Sequence, residues 1–194
     1  MTTPPEPAVA AEPAVIVISG MQGAGKSTVA DRLARRLPRA ARIRGDDLQE
    51  MIVSGGRWPE RREMSAEATA QLRLRLHNAC LLARSFVRAG FSAVVDDIVI
   101  GRRVDDLLAE LRGWRFIFVM LTPRLEVVRR RERGRGTRLW ESWGWMEEEI
   151  RSGTPRIGLW LDTSAQSAEE TVDEILRRAW REGWVEAPAA GGQE

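Results

Sequence analysis

The chain has 194 residues, of which 43% are apolar and 30% charged, with a net charge of only +2. This fits one compact domain with its own core, and no charge excess calls for a nucleic-acid or membrane partner. No apolar run approaches the roughly 20 residues that cross a bilayer, and the single cysteine, Cys80, excludes an intrachain disulfide or a cysteine-rich metal site.

Residues 1–12 are rich in Pro, Ala and Thr, without a basic or apolar signal region. They are expected to form a disordered arm, as are residues 187–194, which leaves 13–186 as the domain and the cytoplasm as the expected compartment. Cys80 lies between Ala79 and Leu81, which predicts a packed thiol and not a reactive one.

Ala14–Ser19 (AVIVIS) is a short β-branched run, as expected of a strand buried on both faces. A Gly-rich turn follows, then a helix from about Lys26 to Leu37 with Val29, Leu33 and Leu37 at four-residue spacing. Ala41–Arg44 is a second strand. Asp46 or Asp47 can cap a short helix reaching Val53, and 54–59 is a loop. Ser65 caps a long helix to Ala89, with Leu72, Leu76, Ala79, Ala83 and Phe86 along one stripe and Gly90 as its stop. Phe91–Asp96 is the third strand, 101–111 a helix, and Arg115–Leu121 the fourth strand. Pro123 opens a helix that runs into an arginine-rich segment. Trp140–Ile150 is helical, Leu159–Asp162 is the fifth strand, and Ser167–Trp184 is a closing helix with Val172, Ile175 and Ala179 inward. Strands alternating with helices predict an α/β domain with a five-stranded parallel sheet.

The segment from Gly20 through Gln22, Gly23, Ala24, Gly25 and Lys26 to Ser27 matches G-x-x-x-x-G-K-[ST], and it lies between a buried strand and an amphipathic helix, as a P-loop must. Glycines let successive N–H groups turn toward phosphate oxygens, and the helix N-terminus adds its dipole. Lys26 then reaches the β- and γ-phosphates of ATP, Ser27 ligates Mg²⁺, and Thr28 follows on the first helical turn. Lys26 is the only lysine among 30 basic residues, and it stands where a compact ammonium fits and a planar guanidinium would not. A guanine-reading Asn-Lys-x-Asp segment is impossible, because the one asparagine is Asn78 and the one lysine Lys26. That removes the GTPase class.

Three features point to phosphoryl transfer. Gly45-Asp46-Asp47 follows the second strand, where a carboxylate can take a hydroxyl proton from an acceptor, the alternative being a helix cap. Asp96-Asp97 ends the third strand, and Asp97 is a candidate to hold Mg²⁺ or orient substrate, again against a cap. Residues 129–138 carry six arginines and two glycines, as a lid would, with Arg129 and Arg133 one helical turn apart. The acceptor is placed near Arg57 and Trp58. His77, Asn78 and the tryptophans 140, 143 and 145 could face it or simply pack, and Glu147, Glu148 and Glu149 read as a solvated face.

The P-loop, Asp46-Asp47, Asp97 and the arginine segment fall in the order seen in chloramphenicol phosphotransferase-like and related P-loop kinases, and from about Val15 to Trp180 the chain resembles that group. Arg44-Gly45-Asp46-Asp47-Leu48 is also similar to the catalytic-aspartate segment of the 5′-polynucleotide kinase domain, although Gln49 stands where that pattern has an arginine. The resemblance implies a three-layer P-loop fold of the nucleoside-monophosphate-kinase type with strand order 2-3-1-4-5. It also implies Asp46 or Asp47 as general base, and Arg129 or Arg133 on ATP phosphate or adenine. The leading expectation is a Mg²⁺- and ATP-dependent kinase, monomeric or homodimeric, for a hydroxyl of an antibiotic-like or nucleoside-like small molecule. A polynucleotide 5′-hydroxyl kinase and a non-enzymatic ATP-binding regulator are the alternatives.

Overall fold

The computed structural model describes residues 12–59, 64–134 and 143–188. Strand β1 (Val15–Gly20) is buried along its whole length, as its unbroken apolar sequence requires. It lies between β3 (Ser92–Asp96) and β4 (Arg115–Leu121), parallel to both. Outside β3 lies β2 (Ala40–Arg44), and outside β4 lies β5 (Leu159–Leu161), which gives the order β2-β3-β1-β4-β5. The order is the expected one. β2, at the edge, is only partly buried, unlike the central strands.

A sixth strand, β6 (Trp184–Glu186), runs antiparallel to the first half of β4, with Phe116 opposite Val185. The sheet is therefore not purely parallel, as the sequence had suggested. β5 pairs only with Val119–Leu121, so the outer edge of β4 from Arg115 to Ile117 is open to the returning chain. Ala187, assigned to the tail by composition, is buried and donates its N–H to Trp114 O.

Helix α1 (Lys26–Arg36) packs against β3 and against α7 (Ala168–Glu182). Helix α3 (Ala66–Arg88) packs on β3 and β2, with α4 (Arg103–Glu110) beside it. Both long helices start where the sequence indicates. Ser65 Oγ accepts the Ala68 N–H, and Ser167 with Glu170 forms a reciprocal capping box. α3 ends at Arg88, and Gly90 follows at φ 80. Cys80 lies in the core, and burial pushes its thiol up to about 12. No helix of the described residues is long and apolar enough to cross a membrane.

The short helix α2 (Gly45–Glu50) differs from expectation at its start. Its N-cap is Arg44, and Asp46 and Asp47 lie inside the first turn. There their charge complements the helix dipole, but neither caps. Helix α5 (Leu125–Gly134) carries the first part of the arginine segment, and Arg135, Arg138 and the following Trp140 lie outside the described residues. Helix α6 (Trp145–Glu148) passes into a π-helical turn, Glu149–Gly153, which periodicity did not reveal.

Candidate active site

The C-terminal ends of β1, β2 and β3 meet at one crevice, because Arg44 and Ile18 are both in register with Asp96. In an open α/β sheet such a crevice is where ligands bind. The loop after β1 holds Gly20, Gly23 and Gly25 at φ of 146, 78 and 96, conformations that side chains with a Cβ rarely adopt. The loop curls around a cavity of about 110 Å³ lined by Gln22, Gly23, Gly25, Lys26, Ser27 and Thr28, with Asp46, Asp96 and Asp97 opposite.

Lys26 is buried, and its Nζ donates to Met21 O at 3.0 Å. Desolvation pulls its pKa below the usual lysine value, against the opposing pull of Asp96, Asp97 and Asp46. A cation held out of water at the mouth of a backbone cradle is a site for an oligophosphate.

Two further cavities open off this cradle. One, of about 180 Å³, shares Gly25 and Thr28 with it and is closed by Arg131, Thr163 and Gln166. The other, of about 420 Å³, shares Gln22, Asp46 and Ile98 with it and is walled by Trp58, Leu72, Trp143, Trp145 and Met146. The phosphate cradle thus lies between two compartments, with Asp46 at the junction to the larger one.

The two adjacent aspartates separate cleanly. Asp46 lines both the cradle and the large cavity and accepts from Arg75 Nη1 at 3.2 Å. Asp47 forms an exposed ion pair with Arg44 at 2.7 Å and lines none of the three cavities.

Asp97 is fully buried, and both of its oxygens are engaged. Arg75 holds Oδ1 and Oδ2, Arg103 donates to Oδ2 at 3.2 Å, and the Ile98 N–H donates to Oδ1 at 2.6 Å. Burial pushes this carboxyl up, but Arg103 and Arg75 outweigh it and hold the pKa below the ordinary 3.8. Gly45 is required here by close approach, since a Cβ at that position would sit 2.7 Å from Asp97 Cγ.

The geometry makes Asp97 a clamp on Arg75. Arg75→Met is expected to lower folding stability by about 3–5 kcal/mol, the cost of leaving a buried charge short of its partner, read as a lower urea midpoint. The sign of the pH effect follows. A depressed folded pKa contributes stability that is complete above the unfolded value of 3.8 and is lost as pH falls through the folded value. The acid limb of Arg75→Met should be shallower than that of the parent.

Arg75 was not picked out from sequence, although its spacing from Leu72, Leu76 and Ala79 places it on the buried face of α3. Gln49 and Gln71 were missed in the same way. Gln49 Nε2 donates to Arg57 O at 3.1 Å and to Gln71 Oε1 at 3.2 Å, and Gln71 receives the Arg57 N–H and donates to Gly55 O. These bonds pin the loop that carries Trp58. The Arg57 side chain is exposed and lines none of the three cavities. His77 pairs with Glu110 at 2.7 Å on the outer side of α3 and α4.

On α5 the arginine that meets the P-loop is Arg131. Its guanidinium donates to Ala24 O at 3.3 Å, Thr163 O at 3.0 Å and Gln166 O at 3.2 Å. Arg129 is half-buried and Arg133 exposed, and neither lines the three cavities. Glu149, expected on a solvated face, lines the large cavity instead.

Among the described residues no group of three or more His, Cys, Asp or Glu could hold a metal by itself. Ser27, Asp96 and Asp97 do line one cavity beside Lys26. Asp96 is buried and receives Arg42 on one oxygen at 3.0 Å. Ser27 and Asp96 fit Mg²⁺, which takes one or two protein ligands and fills the rest with phosphate oxygens and water, whereas both oxygens of Asp97, the carboxylate expected from sequence, are held by Arg75, Arg103 and the Ile98 N–H.

Strand order and crevice together define a P-loop domain of the nucleotide-kinase type. The chain belongs to the AAA-domain family, whose model matches residues 15–142. It is 32% identical over 141 residues to a UPF0200 protein of Aeropyrum pernix, a match covering 66% of this chain and 69% of that one. Its fold is similar to that of a sugar kinase of Janibacter sp. (TM-score 0.62, 18% identity, 85% and 93% of the two chains covered). It is also similar to the Mycobacterium tuberculosis APS kinase in complex with AMPPNP and APS (0.60, 22%, 86% and 96%). A third likeness is to the Deinococcus radiodurans tunicamycin resistance protein (0.61, 21%, 85% and 95%).

Proposed function

We propose that the protein is an ATP-dependent phosphotransferase that moves the γ-phosphoryl group to a hydroxyl of a small molecule held in the large cavity. The observation that carries this reading is the shared wall. Gln22, Asp46 and Ile98 line both the phosphate cradle and the large cavity, so an acceptor held in the cavity would meet a γ-phosphate beside Asp46. The likeness of the fold to several kinases supports it.

In this reading the acceptor oxygen bonds to the γ-phosphorus as the bond from that phosphorus to the bridging oxygen breaks. ADP leaves, and the hydroxyl proton passes to the Asp46 carboxylate. Lys26 and the loop N–H groups offset the charge on the phosphoryl oxygens. Mg²⁺, held by Ser27 with Asp96, would supply further charge neutralisation at the phosphates. The doubly clamped Asp97 serves to position Arg75, which in turn orients Asp46.

The small cavity takes the nucleotide base, against Arg131. Arg131→Ala is expected to raise KM for ATP about tenfold, the scale of one lost cation–π or stacking contact in a desolvated site. Arg133→Ala should stay within about twofold, as for an exposed charge. Steady-state kinetics on both variants check this. The function is tested by ADP release from Mg²⁺-ATP across amphenicols, other antibiotics, nucleosides and 5′-hydroxyl oligonucleotides. Release that requires an acceptor supports the reading, and ATP binding without acceptor-dependent release refutes it.

A further inference from the structure

We propose that the acceptor is a bulky alcohol with a mainly apolar, aromatic body, and not a sugar, a polyol or a phosphorylated metabolite. This rests on the phosphotransferase reading above. The cavity of about 420 Å³ is the size of pockets that enclose drug-sized molecules, roughly 300–1,000 Å³. Nine of its fifteen described lining residues are apolar or tryptophan, so the described lining is mainly hydrocarbon and indole surface. Three of them are the indoles of Trp58, Trp143 and Trp145, the last two with ring centroids 6.3 Å apart. Such walls favour aromatic rings through area burial and edge-to-face contact.

Among the described lining residues the polar groups argue the same way, because Arg75 and Arg103 are already engaged. Arg75 gives its donors to Asp97 and Asp46. Arg103 gives its donors to Ile98 O, Leu72 O and Asp97. Neither can present a free fork to a phosphate or carboxylate on the acceptor. Arg102 is at the exposed rim. A polyol would bury several hydroxyls here with few partners, at about 1–3 kcal/mol each. An alcohol with one reactive hydroxyl needs a polar partner only at its Asp46 end.

The test uses the full chain with Mg²⁺-ATP and four probes: phenylpropanol, naphthylethanol, gluconate and uridine. Turnover is followed by ADP release and binding by calorimetry. The aryl alcohols are expected to exceed gluconate and uridine in kcat/KM by about a hundredfold or more, since unmatched hydroxyls and lost aromatic contact both count against the polar probes. Trp58→Ala and Trp145→Ala should each weaken naphthylethanol binding about tenfold. Trp58 is 47% exposed and on a loop, so its variant reports on the cavity even if Trp145→Ala folds poorly.

Comparable or faster turnover of gluconate or uridine overturns the acceptor class and leaves the phosphotransferase reading standing. Naphthylethanol binding that Trp58→Ala weakens, with no turnover of any probe, supports the cavity assignment and overturns the phosphotransferase reading instead. Absence of aryl-alcohol binding, or binding indifferent to Trp58→Ala, overturns the proposal.

Discussion

Replacing Lys26 with alanine is expected to lower kcat/KM for phosphoryl transfer by at least about a thousandfold, the upper range for removing one preorganised charge stabiliser. Lys26 combines three properties that surface lysines lack. It is buried, its ammonium faces the cavity formed by the loop N–H groups, and three aspartates lie close enough to act on its charge. A low-dielectric setting multiplies what its charge is worth to a developing phosphoryl anion.

The same burial predicts the opposite effect on folding. Desolvation lowers the pKa of Lys26 in the folded state, so its charged form is less comfortable folded than unfolded. At neutral pH the ammonium therefore subtracts from stability. Lys26→Ala should melt, without nucleotide, no lower than the parent. Loss of turnover with an unchanged or raised Tm separates a functional lysine from a structural one.

Asp46→Asn is expected to reduce kcat about a hundredfold to ten-thousandfold, the range for losing a positioned general base, and Asp47→Asn to leave it within about twofold. The two residues are neighbours in sequence and equal in charge, so sequence alone left the choice open. In the proposed reading the helix phase favours Asp46. One step along α2 turns Asp47 onto Arg44 at the surface and Asp46 onto Arg75 at the junction of two cavities. Asparagine keeps the shape of Asp46 but cannot accept a proton, so nucleotide affinity should persist while kcat falls. Equal losses in both variants would mean that the first turn of α2 matters as a helix start and not as a base.

Much of this arrangement was legible in the sequence because it is local. A buried parallel strand must be almost wholly apolar, and VIVISG is. Ser65 and Ser167 announce helix starts through bonds that span three residues. The phosphate loop needs its glycines at fixed offsets, and the φ values of Gly20, Gly23 and Gly25 show why.

What the sequence concealed depends on elements far apart in the chain. The pairing of β6 with β4 follows from the length β5 leaves uncovered, which no local pattern reports. The inward face of α3 identifies Arg75 as buried, but its partner Asp97 is 22 residues away and is met only once α3 packs on β3. On α5, Arg129 and Arg133 share a face. Which face turns to the P-loop is set by how the helix leaves β4, and it brings Arg131 there. Glu149 lines the cavity from the start of the π-helical turn, where a Cβ on Gly101 or Gly153 would collide with its Oε1. The acidic run around it gave no sign of this.

The most direct test of the account follows the phosphorus itself. The protein is incubated with Mg²⁺ and ATP labelled in the γ-phosphoryl group, together with the hydroxyl acceptor panel, and the label is traced by mass spectrometry. The account predicts label on an acceptor oxygen in stoichiometric balance with ADP, absent in Lys26→Ala and strongly reduced in Asp46→Asn. Label found only in free phosphate, or turnover that survives Lys26→Ala, would contradict it.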